Sequence, residues 1–176
     1  MIKRIVLPVD GSEHAARAAG FAGDLAEKYG AEVVLLHVID RSNLSEADEH
    51  MAEVEHVASR GRDTLPWVAN VPAELAAMLT PQESRATQEQ MLGYLADKVV
   101  RAATEKLEEH GVPAGRIRVV FKNGHPVKRI LETVQEEEPD LVVTGSRGLS
   151  DLAGALEGSV SHRVSHLAPC SEITVK

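Results

Sequence analysis

The sequence is poor in several residue types that other classes of protein depend on. Its 176 residues include a single cysteine, Cys170, and aromatic residues make up only 3%. One cysteine cannot form an intrachain disulfide, so a disulfide-stabilised scaffold is excluded and a reducing cytoplasm is the expected location. The chain has no apolar run long enough to span a bilayer, and its start lacks the apolar core of a signal peptide. We therefore expect no membrane insertion.

Basic residues are also in the minority. The formal net charge is -8, whereas a nucleic-acid-binding surface needs an excess of Lys and Arg to displace counterions. The composition thus argues against nucleic acid and against anionic membranes as partners. Any anion site in this chain must depend on local backbone dipoles. Apolar residues reach 43%, which is typical of a globular protein with a core.

Apolar runs alternate with helical patterns along most of the chain. The runs at 2–9, 33–39, 117–121, 141–144 and 173–175 predict strands. The first helix begins after Ser12, a good N-cap, and ends at Gly30, a good C-cap. Its inward stripe is predicted to contain Ala15, Ala19, Ala22, Ala26 and Tyr29. Alternating strands and helices imply a doubly wound α/β fold with an open parallel sheet, and we expect one domain, 1–176, with a helical insert at about 41–86.

A glycine pattern after the fourth strand carries the strongest functional signal. Gly145 and Gly148 are three apart, nine residues separate Gly148 from Gly158, and Ser159 then opens a helical segment. Glycine lets backbone N–H groups approach an anion closely, and a helix N-terminus adds free donors and a favourable dipole. The spacing predicts a phosphate cradle, in which Ser159 and Ser161 could add hydroxyl donors.

A second polar turn, at Asp10, follows the first strand. In open parallel sheets, ligands bind at the carboxyl ends of the strands where the strand order reverses. If the first and fourth strands are neighbours, the ligand lies between Asp10 and the glycine loop. Asp10 could then accept from a ribose hydroxyl or hold a Mg²⁺ ion bridged to phosphates, and Arg147 could offset phosphate charge.

These motifs together resemble the ATP-binding branch of the universal stress protein family. The resemblance rests on the glycine spacing just described, on the opening strand and turn at 5–15, on the second strand at 33–40, on Gly124-His125-Pro126 and on Ala168-Pro169-Cys170. It covers nearly the whole chain except residues 41 to about 86. The resemblance implies a Rossmann-like sheet of five strands in the order 3-2-1-4-5, similar to adenine-nucleotide alpha-hydrolases.

The resemblance also implies a ligand, a set of contacts and an assembly. Adenine would lie near Val9 and Val38, ribose and Mg near Asp10, and the phosphates at the glycine loop. The implied nucleotide-binding residues are Pro8, Val9, Asp10, Val38, Thr144, Gly145, Arg147, Gly148, Gly158, Ser159, Val160 and Ser161. The ligand would be ATP, with ADP or AMP as alternatives. Ile173, Thr174 and Val175 would form a homodimer edge, although Glu172 places a charge in a strand that is more apolar in relatives.

A nucleotide-dependent regulatory or stress-response role, with a possible regulatory protein partner, fits these features better than catalysis. The sequence lacks a P-loop ending in Gly-Lys-Ser/Thr, and Asp10 is the one obvious carboxylate at the site. The alternatives are a slow ATP hydrolase or nucleotide-activating enzyme, and a nucleotide-free dimeric interaction module. His162 and His166 have a spacing that can bind zinc, but surface histidines are the better interpretation because no third ligand lies near them in sequence.

Overall fold

The computed structural model describes residues 1–40, 85–148 and 159–176. The chain divides into two compact units. One comprises Met1–Asp40 and Ala96–Lys176, and it contains all the strands and sites discussed below. The other, Arg41–Leu95, is described only in residues 85–95, the first part of a helix. The predicted insert at about 41–86 thus falls almost wholly outside the described residues.

The described elements alternate as predicted. The strands are β1 (Arg4–Val9), β2 (Glu32–Ile39), β3 (Ile117–Asn123), β4 (Leu141–Gly145) and β5 (Ser171–Val175). The helices are α1 (Glu13–Tyr29), α2 (Arg85–Glu109), α3 (Pro126–Glu137) and α4 (Ser159–Leu167), and a short 3-10 turn spans Ala114–Arg116. None of these helices is long and apolar enough to span a membrane.

The five strands form one parallel sheet in the order β3-β2-β1-β4-β5, which confirms the predicted fold class and strand order. Two apolar clusters cover its two faces. Ile5, Leu7 and Val143 face the cluster that α1 and α2 complete. Val6 and Val142 point the other way, into the cluster that α3 and α4 complete. Residues adjacent in a strand alternate between faces, so continuous apolar strands are what a sheet covered on both sides requires.

Helix α1 has the boundaries that its sequence signals predict. The Ser12 side chain accepts a hydrogen bond from the Ala15 N–H, and Gly30 ends the helix in the left-handed conformation. Ala15, Ala19, Ala22 and Ala26 are buried, as predicted, but Tyr29 is 39% exposed. The prediction for Tyr29 was wrong because the last turn of α1 extends past the edge of the core. Leu131 of α3 is also only half-buried.

Strand β1 separates from β4 before either strand ends. Their register pairs Ile5 with Leu141 and Val6 with Val142 and goes no further, whereas β1 stays paired with β2 up to Val9. Pro8 lies in the unpaired part of this edge, where its lack of an N–H removes a possible ladder bond. The pairing of β1 with β4 therefore stops short of their carboxyl ends, at the point where the strand order reverses, which is where open parallel sheets form a ligand crevice.

Candidate functional site

The crevice is bounded on one side by the turn after β1. The Asp10 carboxylate accepts a hydrogen bond from the Ser12 N–H at 2.9 Å through Oδ1. The Ser12 hydroxyl caps α1 by accepting from the Ala15 N–H at 3.1 Å. The same hydroxyl donates to the Arg147 carbonyl at 3.3 Å. This last bond joins the β1 turn directly to the glycine loop, so the two predicted bends meet, as the sequence interpretation requires.

Two glycines make that meeting possible. A Cβ added at Gly145 would lie 2.7 Å from the His14 carbonyl carbon and 2.9 Å from the Ala15 nitrogen. A Cβ added at Gly148 would lie 2.8 Å from Oδ2 of Asp10. Gly145 therefore lets β4 pack against the first turn of α1, and Gly148 lets the loop backbone approach the Asp10 carboxylate. Gly145 and Gly148 therefore have different structural roles.

Ser146 anchors the loop between these glycines. Its N–H donates to the Val175 carbonyl at 2.7 Å, and its side-chain oxygen lies 3.0 Å from Nδ1 of His14. Ser146 is 4% exposed, so this buried serine attaches the loop to β5 and to α1. Neither His14 nor Ser146 was predicted as a site residue from the sequence. The one indication was the position of His14, which lies in the first turn of the helix that follows the Asp10 turn.

The crevice also has an apolar side at the ends of β1 and β2. Val9 is buried, and Pro8 and Val38 are half-buried. The Val9 carbonyl lies 2.8 Å from Nδ1 of His37, which is its partner in the parallel register. His37 is a third residue of the site that was not predicted from the sequence. It is the one polar interruption in the apolar run of β2.

Other predicted site residues have additional or different roles. Thr144 is 4% exposed, and its hydroxyl donates to the Glu172 carboxylate at 2.6 Å, so its side chain serves the β4–β5 contact. Arg147 is exposed. Val160 packs against the cluster under α3 and α4, and Ser161 is buried. Ser159 is the exposed first residue of α4, and Gly158 lies outside the described residues.

The chemistry of this arrangement suits an anion with a hydroxylated neighbour. Main-chain N–H groups of a glycine loop attract phosphate oxygens, and a carboxylate at the same edge can accept from a sugar hydroxyl or hold Mg²⁺. The described residues contain no cluster of three or more His, Cys, Asp or Glu side chains able to hold a metal. A concave surface around Arg4, Glu32 and Asp140 lies at the amino ends of the strands instead, the edge where parallel sheets seldom bind ligands.

Comparison with known proteins settles the family. The model of the universal stress protein family matches residues 1–65 and 58–176, which together cover the chain. The chain belongs to the universal stress protein family. Universal stress protein YxiE of Bacillus subtilis is 28% identical over 176 residues, which cover 100% of both chains. The resemblance to the family is thereby confirmed.

Solved universal stress proteins share the fold. One, determined in complex with cAMP, matches with a TM-score of 0.58 and 22% identity, over 99% of this chain and 96% of the other. Another, from Arabidopsis thaliana and determined with AMP bound, matches with a TM-score of 0.56 and 18% identity, over 99% and 91%. At these identities the likeness concerns the fold, and some proteins with this fold bind adenine nucleotides.

Proposed function

We propose that this universal stress protein is a cytoplasmic regulatory protein that binds an adenine nucleotide, ATP above all, in the crevice between β1 and β4. The observation that carries the proposal is the close approach of the Gly148 backbone to the Asp10 carboxylate, because a Cβ would fill that space. The cAMP and AMP complexes of proteins with the same fold support adenine as the base.

Different residues would bind different parts of the nucleotide. The loop backbone at Gly145 and Gly148 and the start of α4 at Ser159 would supply N–H donors to the phosphates, whereas the Ser146 N–H is engaged by the Val175 carbonyl. Asp10 would accept from ribose or hold the Mg²⁺ ion, which would neutralise phosphate charge. Val9 and Val38 would flank the base. These roles are binding roles, and a regulatory function follows if the bound nucleotide alters contacts with partners.

We propose binding rather than turnover because the described crevice offers one carboxylate, Asp10, and that carboxylate already accepts a hydrogen bond from its own turn. Phosphoryl transfer usually needs a positioned nucleophile and a cradle lysine as well. An assay for phosphate release from MgATP tests this distinction. Turnover that Asp10→Asn abolishes would favour the slow hydrolase instead.

The nucleotide site itself is tested with a matched pair of glycine variants. Gly148→Ala places a methyl group beside Asp10, whereas a Cβ at Gly115 meets nothing within 4 Å. In calorimetric titrations with MgATP, we expect Gly148→Ala to weaken binding by about tenfold or more, equivalent to about 1.4 kcal/mol. Gly115→Ala should bind like the wild type. Equal affinities of all three proteins would reject the cradle, and titrations with ADP, AMP and cAMP would identify the preferred ligand.

A further inference from the structure

A groove with an apolar floor lies between α3 and α4, away from the crevice. Its volume is about 580 Å³. We call it the basic groove and define it by Val127, Lys128, Leu131, Arg163 and Leu167. Leu167 is 61% exposed and, apart from Met1, is the most exposed large apolar side chain among the described residues. Such exposure beside a concave surface is typical of an interaction site.

The rim of the basic groove carries two cations from different helices. Lys128 on α3 and Arg163 on α4 are exposed, and neither has an ion-pair partner among the described residues. The basic residues on the neighbouring surface of α3 and β3 are paired. Arg118 contacts Glu137, and Lys122 lies 2.6 Å from Glu136. Within the described ranges, no carboxylate therefore lies at ion-pair distance from either rim cation.

The one carboxylate of the groove does not cancel this charge. Glu132 lies 2.7 Å from Arg129, three residues earlier on α3. The hydrogen bond from Arg129 and, more weakly, the charge of Lys128 lower the pKa of Glu132, so the ionised carboxylate is engaged with Arg129 and offsets only part of the charge of Lys128. His125 lines one end of the groove. The groove is therefore locally cationic on a chain whose formal net charge is -8.

We propose that the basic groove binds an acidic amphipathic peptide segment of a partner protein. Apolar side chains of the segment would cover Leu131 and Leu167, while its carboxylates meet Lys128 and Arg163. A helix that places apolar residues three or four positions apart fits such a surface. The repulsion between an acidic segment and the rest of this acidic chain would direct the segment to the groove.

Size and charge favour a peptide as the occupant. A groove of about 580 Å³ has the volume of a small-ligand site, which accommodates a few side chains but not the face of a folded domain. Nucleic acid would require a broad basic surface without an apolar floor. A small contact area also means transient binding, with a dissociation constant of about 10–100 µM.

The experiment selects peptides and then asks where they bind. A displayed library of random peptides of about 16 residues, long enough for about four helical turns, is panned against the full chain. We expect the enriched peptides to combine Asp and Glu with Leu or Phe. Their affinity is then measured by fluorescence anisotropy for the wild type, for Lys128→Glu/Arg163→Glu and for Leu167→Ser.

A charge-matched control makes the outcome decisive. Lys98→Glu/Arg101→Glu reverses two exposed cations on α2 and changes the net charge of the chain by the same amount. The groove variants should weaken binding by about tenfold, and the control should not. The proposal is overturned if no acidic peptide is enriched or if both charge reversals weaken binding equally. It is also overturned if the groove variants instead abolish self-association in sedimentation, because a second copy would then be the occupant. Nucleotide binding is not needed for any of these outcomes.

Discussion

At the scale of single residues, Gly145 decides how closely β4 can approach α1. The sequence pattern predicts this glycine for phosphate contact. The structure adds a packing reason, because the Cβ that any other residue carries would lie 2.7 Å from the His14 backbone. Backbone atoms cannot rotate out of the way as the tip of a side chain can. Gly145 is therefore required by the fold even before a ligand binds.

We expect Gly145→Ala to lower the free energy of unfolding by about 1–3 kcal/mol, the usual cost of an overpacked contact. Urea denaturation followed by circular dichroism measures the change. Gly115→Ala is again the matched control, since its added methyl group meets open space. An alanine variant at Gly145 as stable as the control would contradict the packing role.

The candidate site was predictable only in part at this scale. The glycine spacing predicts which bends carry backbone donors, since glycine is rare where it is not needed. It contains no signal for the His14–Ser146 contact at 3.0 Å, because the two residues lie 132 positions apart. The contact of His37 could not be predicted from the sequence for the same reason. Its partner, the Val9 carbonyl, belongs to another strand.

At the scale of secondary structure, local signals determined helix ends better than strand ends. Ser12 and Gly30 cap α1 through hydrogen bonds to residues only a few positions away. The local sequence is therefore enough to predict where this helix begins and ends. The apolar run at 173–175 predicted β5 too short, because the strand begins two residues earlier, at Ser171. One of these two residues, Glu172, accepts hydrogen bonds from the Thr144 and Thr174 hydroxyls. Those partners, one of them on β4, make a charged residue acceptable in a strand.

Asp140 ties the start of β4 to the start of β1. Its carboxylate accepts hydrogen bonds from the N–H groups of Lys3 at 2.6 Å and Arg4 at 3.0 Å. The bond from Lys3, followed by the bond from Arg4, lowers the pKa of Asp140 below its ordinary value of 3.8. A lowered pKa in the folded state means that the ionised carboxylate stabilises the fold.

This stabilisation depends on pH in a predictable direction. It is fully present above pH 3.8, the ordinary value, and is lost as the pH falls through the lowered folded-state pKa. We expect Asp140→Asn to be less stable than the wild type at neutral pH, with a difference that closes as the pH falls to about 2. Urea unfolding at both pH values measures it.

The control for Asp140 is Asp97→Asn. Asp97 is exposed and has no hydrogen-bond or ion-pair partner among the described residues. Its substitution should change the unfolding free energy little at either pH. A constant gap between Asp140→Asn and the wild type across this pH range would show that the carboxylate charge is not what matters.

At the scale of the whole molecule, the alternation of elements predicted a parallel sheet but not the order of its strands. The three central strands, β1, β2 and β4, are largely apolar, so their pattern does not show which neighbour lies on each side. The order came from the family resemblance, and the structure confirms it. The same limit applies to assembly. Strand β5 pairs with β4 on one side, and no described strand pairs with its other side.

We propose that this open edge forms the homodimer, through Ile173, Thr174 and Val175. Sedimentation of the full chain over a concentration series should show a dimer, and a chain ending after Cys170 should not form one. The Val175 carbonyl also accepts the Ser146 N–H, so circular dichroism must show that the shortened chain still folds. A full chain that stays monomeric throughout the series, or a folded shortened chain that still dimerises, would refute the proposal.

The position of β1 in the middle of the sheet has a consequence for synthesis. Strand β1 is synthesised before β4, so the hydrogen bond from the Arg4 N–H to Asp140 cannot form until Asp140 is made, 136 residues later. At about 5–20 residues per second, that wait lasts roughly 7–27 s. During translation an apolar strand, Ile5 to Val9, stays open along one edge. We therefore expect the nascent chain to expose this apolar edge until β4 has been made.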